Sequence, residues 1–367
     1  MDARASVRPP AQSPTVQGAW EIRALHLDIA RKRLGASWIH ARLAEMDRAG
    51  LNELQLHVSD NEGYGIVSAA HPEIVSEGAL SAEELKGITA DAHARGIRIV
   101  PALDIPGHFG HVLARTSGLA ASDTVEGRRV VDYSRSEARD LMLDLVDELD
   151  SLLPGIAWHL GGDEVFDIAA DGDVEQRFPQ LAAYAVERCG EGALVHDGYV
   201  ALLNDVARHL CSRGRTDIRA WNDALYLPGT RTALDPRITV CYWTDWHPSY
   251  PTLERIRQAG HRVINYCDRP LYYVLARAGE GHAYEQRPTA ESVSGWRPGL
   301  FPAAHDGSAQ RVDEGAWWLR GASLAVWCDH PDAEDGQTLA AGLAGPLQAF
   351  GDVMSTGRMT GPAHGMK

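Results

Sequence analysis

Two acids in succession, Asp163 and Glu164, lie near the end of the segment WHLGGDEVF, which runs from Trp158 to Phe166. An apolar, strand-like lead-in stops at two glycines just before them. Glycines let the backbone bend where a regular strand would send neighbouring side chains to opposite faces, so both carboxyls can approach one ligand. A glycosidic oxygen needs a proton as its bond breaks, and a carboxyl with a raised pKa can supply it. Ordinary retaining hydrolysis needs a second carboxylate about 5 Å away, on the other face of the sugar. Adjacent residues at one strand end do not straddle a ring. If the sugar carries a 2-acetamido group, however, its own oxygen can attack the anomeric carbon, and this internal nucleophile avoids much of the entropic cost of bringing reactants together. Asp163 would then hold the acetamido nitrogen while Glu164 serves as acid and afterwards as base. The plainer reading of GGDE is a turn with two solvated acids, and loop composition favours it equally. The apolar lead-in and the strand-end position tip the balance.

Trp221, Trp243 and Trp327 each end a predicted strand. One such tryptophan is ordinarily core, but three on one rim suggest an aromatic box for the apolar face of a sugar and the methyl of an acetamide. Tyr266 is placed to offer its hydroxyl to the acetamide oxygen. Arg31, in LDIAR, either holds sugar hydroxyls or pairs with an acid such as Asp60 as scaffolding. His57, His108 and His159 raise a metal-dependent alternative. Against it, no HxH pair follows the first strand, and His57 and His159 sit among apolar strand neighbours, where hydrogen-bonded core histidines are commoner. Neither a metal nor an organic cofactor is expected.

These residues need a scaffold that brings strand ends together. Short β-type runs alternate with helical-period segments, which predicts a parallel sheet of βα units. The strands are read as Ala24–Ala30, Glu53–Asp60, Ile97–Asp104, Ala157–Gly161, Asp217–Trp221, Ile238–Trp243, Arg262–Cys267 and Ser323–Trp327. Between them come a helix capped by Ser37 and stopped at Gly50, one opened by a Ser81–Glu84 capping box, and one behind a Ser134–Glu137 box. Helices over Tyr199–Arg213, Thr252–Gly260 and Thr338–Phe350 complete the series. Eight such strands imply one closed (β/α)8 barrel, a TIM barrel, over residues 19–355, with chemistry at the C-terminal strand ends. Residues 1–18 are read as a disordered leader and 356–367 as a flexible tail. The connections Val165–Asp197 and Asp268–Gly321 are long enough to shape access to the site.

A formal net charge of −15 argues against nucleic acid or an anionic membrane surface as partner. The five cysteines form no CxxC pair, which excludes a zinc ribbon or thioredoxin-like centre. The opening residues lack a signal-peptide pattern and the expected location is cytoplasmic. Oligomeric state is not legible.

With HLGGDE and DIPGH in the order seen here, together with LDIAR, LQLHVSDNEGYGI, WND, YWT, NY and the final AVW, the chain resembles glycoside hydrolase family 20, the β-N-acetylhexosaminidases. Within that family it looks closest to dispersin-like single-domain members. The likeness covers Ala24 to Phe350 and implies a retaining, substrate-assisted exo-acting enzyme on β-linked N-acetylglucosamine or N-acetylgalactosamine glycans. It implies Glu164 as acid/base, Asp163 on the acetamido group and Arg31 on sugar hydroxyls. Trp221, Trp243 and Trp327 would line the pocket, with Tyr266 on the acetamide oxygen, while His108 and Asp60 would support Glu164, and His159 is counted with them as a supporting residue. Two departures stand out. Asp329 replaces the usual Glu, so that either the sugar sits slightly deeper or Asp268 takes over part of the contact, and Tyr64 stands where much of the family has Trp. The dispersin likeness offers poly-β-1,6-N-acetylglucosamine as an alternative substrate, and Asp329 leaves room for an inactive carbohydrate-binding barrel.

Overall fold

The computed structural model describes residues 20–167, 173–276 and 287–356. The expected leader, most of the expected tail and parts of both long connections therefore lie outside the described residues. Nine parallel strands form the sheet: β1 (Ile22–Asp28), β2 (Glu53–His57), β3 (Arg98–Ala102), β4 (Ala157–His159), β5 (Asp217–Trp221), β6 (Thr239–Tyr242), β7 (Val263–Asn265), β8 (Tyr272–Val274) and β9 (Leu319–Trp327). Neighbours pair in chain order from β1 to β7, β7 pairs with β9, and β9 pairs with β1 to close the barrel. The strands are almost wholly buried, as expected for a parallel sheet covered on both faces.

The ninth strand was not expected. β7 pairs with β9 at Leu319–Ala322 and β8 pairs with it at Ala325–Trp327, so the two follow one another along the same edge. They amount to one barrel strand interrupted by residues 266–271. Most of the other expected strands run past the observed ladders: the chain leaves the sheet at His57, Ala102, His159 and Tyr242 and turns into the loops that carry Asp60, Asp104, Gly161 and Trp243, whereas Asp217–Trp221 is as expected and the last strand starts earlier, at Leu319.

The Ser81–Glu84 capping box is present. The two other expected helix starts differ. The first helix begins at Ala36 behind Gly35, and the helix Ser136–Leu152 begins behind Arg135 without a side-chain cap, because Ser134 is bound instead to Asp132 at 2.5 Å. The helix expected from Tyr199 begins at Val195, and the long connection before it holds a helix of its own, Pro179–Cys189. No helix among the described residues is long and apolar enough to cross a membrane.

Below the site, the barrel interior is plugged by ion pairs between charged side chains. Arg219, fully buried, donates to both oxygens of Glu53 at 2.7 and 3.1 Å and to Asp217 at 2.6 Å. Arg320 joins Asp217 to Glu21.

Candidate active site

The turn after β4 carries the two acids and is built by left-handed backbone. Gly161, Gly162 and Glu164 have φ of +69°, +92° and +44°. A Cβ on Gly161 would lie 2.2 Å from the Asp104 carboxyl, and one on Gly162 would lie 2.5 Å from the Tyr199 hydroxyl, so both positions demand glycine for space as well as for conformation. The loop after β3 packs against this turn, with Gly107 close to the backbone of Asp163 and Val165.

A cavity of about 910 Å³ opens above the C-terminal strand ends, lined by Arg31, His108, Asp163, Glu164, Asp268 and Asp329 and by Trp221, Trp243 and Trp327. Thus the two acids and all three expected tryptophans meet. Trp221 forms a deeply buried base, with Trp327 6.1 Å away between ring centres. Asn222 sets the wall at Trp243: its side chain accepts the Trp243 backbone N–H at 2.8 Å and donates to the Thr244 carbonyl at 2.7 Å.

Tyr266 is elsewhere. It is fully buried beneath Trp221, edge-on at 4.7 Å, and its hydroxyl donates to Gln55 at 2.8 Å. The tyrosine in the cavity wall is Tyr272 on β8, parallel to Trp243 at 6.3 Å and 6.0 Å from Trp327. The NY pattern pointed to Tyr266, but the break between β7 and β8 brings the later tyrosine to the rim. The LYYV run was the available signal, and the three-residue strand within it, Tyr272–Val274, is too short for periodicity to detect.

A chain of charged hydrogen bonds supports Glu164. Arg31 meets Asp60 at 2.8 Å, Asp28 at 3.1 Å, Glu62 at 3.3 Å and Asp329 at 3.5 Å. Arg31 is therefore scaffold and cavity wall at once. Asp60 also receives His57 at 2.8 Å and His108 at 3.0 Å, and the other nitrogen of His108 is 3.6 Å from both Asp163 and Glu164. Burial opposes charge on His57, yet Asp104 and Asp60 outweigh it and raise His57 to about 9. His108 is likewise raised against burial by Asp60 and Asp163. The charged His108, 3.6 Å away, holds the Glu164 carboxyl below the usual range, while burial raises Asp163, aided by the Glu164 charge and opposed by His108. Two further buried acids flank the pair. Burial and Asp163 push Asp104 up to about 8 and Asp223 up to about 7.

His159 lies behind the cavity, its ring 4.4 Å from Trp221, and burial first, then Arg219, keeps it neutral. Asp268 reaches the Trp246 indole at 3.4 Å in the cavity wall. Tyr64 is fully buried packing. His57, Asp60 and Asp104 are close enough to share a cation. The Asp60 carboxyl is already taken by direct contacts, from His57 at 2.8 Å and from the Arg31 guanidinium at 2.8 Å.

The sequence model of "Glycosyl hydrolase family 20, catalytic domain" matches residues 20–338. Lacto-N-biosidase of Bifidobacterium bifidum is 23% identical over 327 residues, 87% of this chain and 27% of that protein. β-Hexosaminidase A of Caenorhabditis elegans is 30% identical over 157 residues, 40% of this chain and 28% of that protein. The chain thus spans under a third of the length of these curated relatives. Among solved structures, dispersin B superposes with a TM-score of 0.70 at 22% identity, covering 90% of this chain and 98% of that one, which shows the shared barrel.

Proposed function

Since the chain belongs to glycosyl hydrolase family 20, we propose that it is a retaining β-N-acetylhexosaminidase that uses the substrate's own acetamide as nucleophile. One observation carries the reading. The Glu164 carboxyl opens into an aromatic cup beside Asp163, with charged His108 and Asp60 behind it. In the mechanism, Trp221, Trp243 and Trp327 hold the sugar and its acetamide methyl, and Asp163 orients the acetamido nitrogen. Glu164 gives its proton to the leaving oxygen as the acetamide oxygen closes on the anomeric carbon. It then takes a proton from the water that opens the intermediate, so the configuration is retained. Tyr272 takes the place expected of Tyr266, with its ring beside Trp243 and Trp327 where an acetamide would lie.

Replacing Glu164 with Gln tests this on an aryl N-acetyl-β-glucosaminide. A fall in kcat of about 10²–10⁴-fold is expected from the loss of a general acid/base, and an unimpaired rate would refute the assignment. Binding of N-acetylglucosamine without any turnover by the unmodified protein would favour an inactive carbohydrate-binding barrel instead.

The cavity continues past Asp268 to a largely apolar wall at residues 300–309, and its volume lies at the upper end of the range for small-ligand sites. This favours a glycan of more than one sugar. With a net charge of −15, the protein would also attract a cationic, partly deacetylated poly-β-1,6-N-acetylglucosamine, and salt would weaken that attraction. Product analysis on β-1,3, β-1,4 and β-1,6 linked N-acetylated oligosaccharides separates the linkages.

A further inference from the structure

Asp223 is bonded to both halves of the site. One carboxylate oxygen accepts the backbone N–H of Glu164 at 2.8 Å, and the other accepts the indole N–H of Trp243 at 2.8 Å. The side chain is 1% exposed and stands just past the end of β5. A buried carboxylate with an N–H on each oxygen makes strong, directional bonds and little else. Glu164 also sits at φ +44°, a left-handed conformation that is strained for a residue with a Cβ and persists only where surrounding contacts impose it. The bond to Asp223 is one such contact, and its other end fixes the aromatic wall.

We propose that Asp223 is a positioning residue for hydrolysis, a bracket that sets the Glu164 carboxyl at a fixed offset from the Trp243 wall, so that proton donor and sugar are placed by one side chain. The inference rests on the assignment of Glu164 as acid/base. Without the bracket, the sugar would still enter the cup, but the donor would no longer be held against the leaving oxygen. The loss should therefore fall on substrates that need protonation to depart.

The test compares Asp223→Asn and Asp223→Ala with the unmodified protein on two N-acetyl-β-glucosaminides. One has an activated dinitrophenyl leaving group and the other a poor, unsubstituted phenyl group. For the phenyl substrate kcat should fall about 100-fold, the loss that a misplacement of about 1 Å can cause, with a much smaller fall for the dinitrophenyl substrate. Unchanged rates, or equal falls on both, would overturn the proposal. Should neither variant fold by near-ultraviolet circular dichroism, Trp243→Phe carries the test, because it keeps a ring in the wall and removes the indole donor. The same bias against the phenyl substrate is expected, and an unbiased loss overturns the bracket. An unmodified protein inert on both substrates would sink the hydrolase reading and the bracket with it, whereas active protein with unbiased variants sinks the bracket alone.

Discussion

His108 governs the proton inventory of the site. With Asp60 on one nitrogen and the two acids 3.6 Å from the other, its charge keeps Glu164 ionised in the free enzyme at lower pH than an ordinary glutamate. On the proposed mechanism Glu164 is protonated at the start of the reaction, so kcat/KM, which reports the free protein, should fall as pH rises through this carboxyl's pKa. Replacing His108 with Asn removes the partner that lowers it. The pKa then rises and the alkaline limb of kcat/KM moves to higher pH, while the maximal rate drops roughly 10-fold or more. A pH–rate titration reads both, and a limb that stays in place would separate His108 from Glu164. At this scale much was legible from residue types: Asp163, Glu164, Arg31 and the three tryptophans all line one cavity. Tyr266 was not, because a side chain's depth depends on which residues leave the ladder, and no local pattern encodes that.

At the scale of elements, the Gly161–Glu164 turn is the part least able to change. Gly161→Ala would drive a methyl into the Asp104 carboxyl at a φ of +69°. A stability loss of about 1–3 kcal/mol is expected from the backbone strain alone, with a larger proportional loss of activity because Asp104 and the acid pair must shift. Denaturant unfolding and kcat measured on the same preparation check this, and a fully active, equally stable variant would contradict it. Most of the strand patterns placed the loops correctly but ran too long, while the last, read from Ser323, began too late. The apolar alternation continues into Asp60, Asp104 and Trp243 although the hydrogen-bond ladder has ended. Ser81 was readable as a cap since Glu84 reciprocates; Ser134 was misread because Asp132 captured its hydroxyl. The helix Pro179–Cys189 went unseen within a connection, though Pro179 at its first turn is an ordinary helix-start signal.

For the whole molecule, the ion plug under the cavity joins β2, β5 and β9 across the barrel axis. Replacing Arg219 with Met would remove the partner that Glu53 and Asp217 share, leaving Glu53 to Arg98 and Asp217 to Arg320, a weakening of buried ion pairs expected to cost up to about 3–5 kcal/mol. Thermal unfolding of the variant should show a clear drop in midpoint, and an unchanged midpoint would refute the plug. Burial disfavours the charged Asp217, but Arg219 and Arg320 hold its folded pKa well below the usual value. Its contribution is therefore complete above the ordinary carboxylate range and is lost as pH falls towards the folded pKa. The closed barrel itself was legible from eight apolar runs, whereas the plug was not, since its charges come from distant strands.

The interrupted strand along the edge of β9 gives one wall of the cavity unusual independence. Tyr272 takes its register from Ala325, across the seam, rather than from the residues just before it in the chain. Lengthening or trimming the stretch between Cys267 and Leu271 could thus slide this panel by a notch while the ring stays shut. A slip of one position would exchange the faces of Tyr272 and Tyr273, and with them the ring presented to the ligand. Selection, or an engineer, could retune the enzyme's preference there without touching its acids.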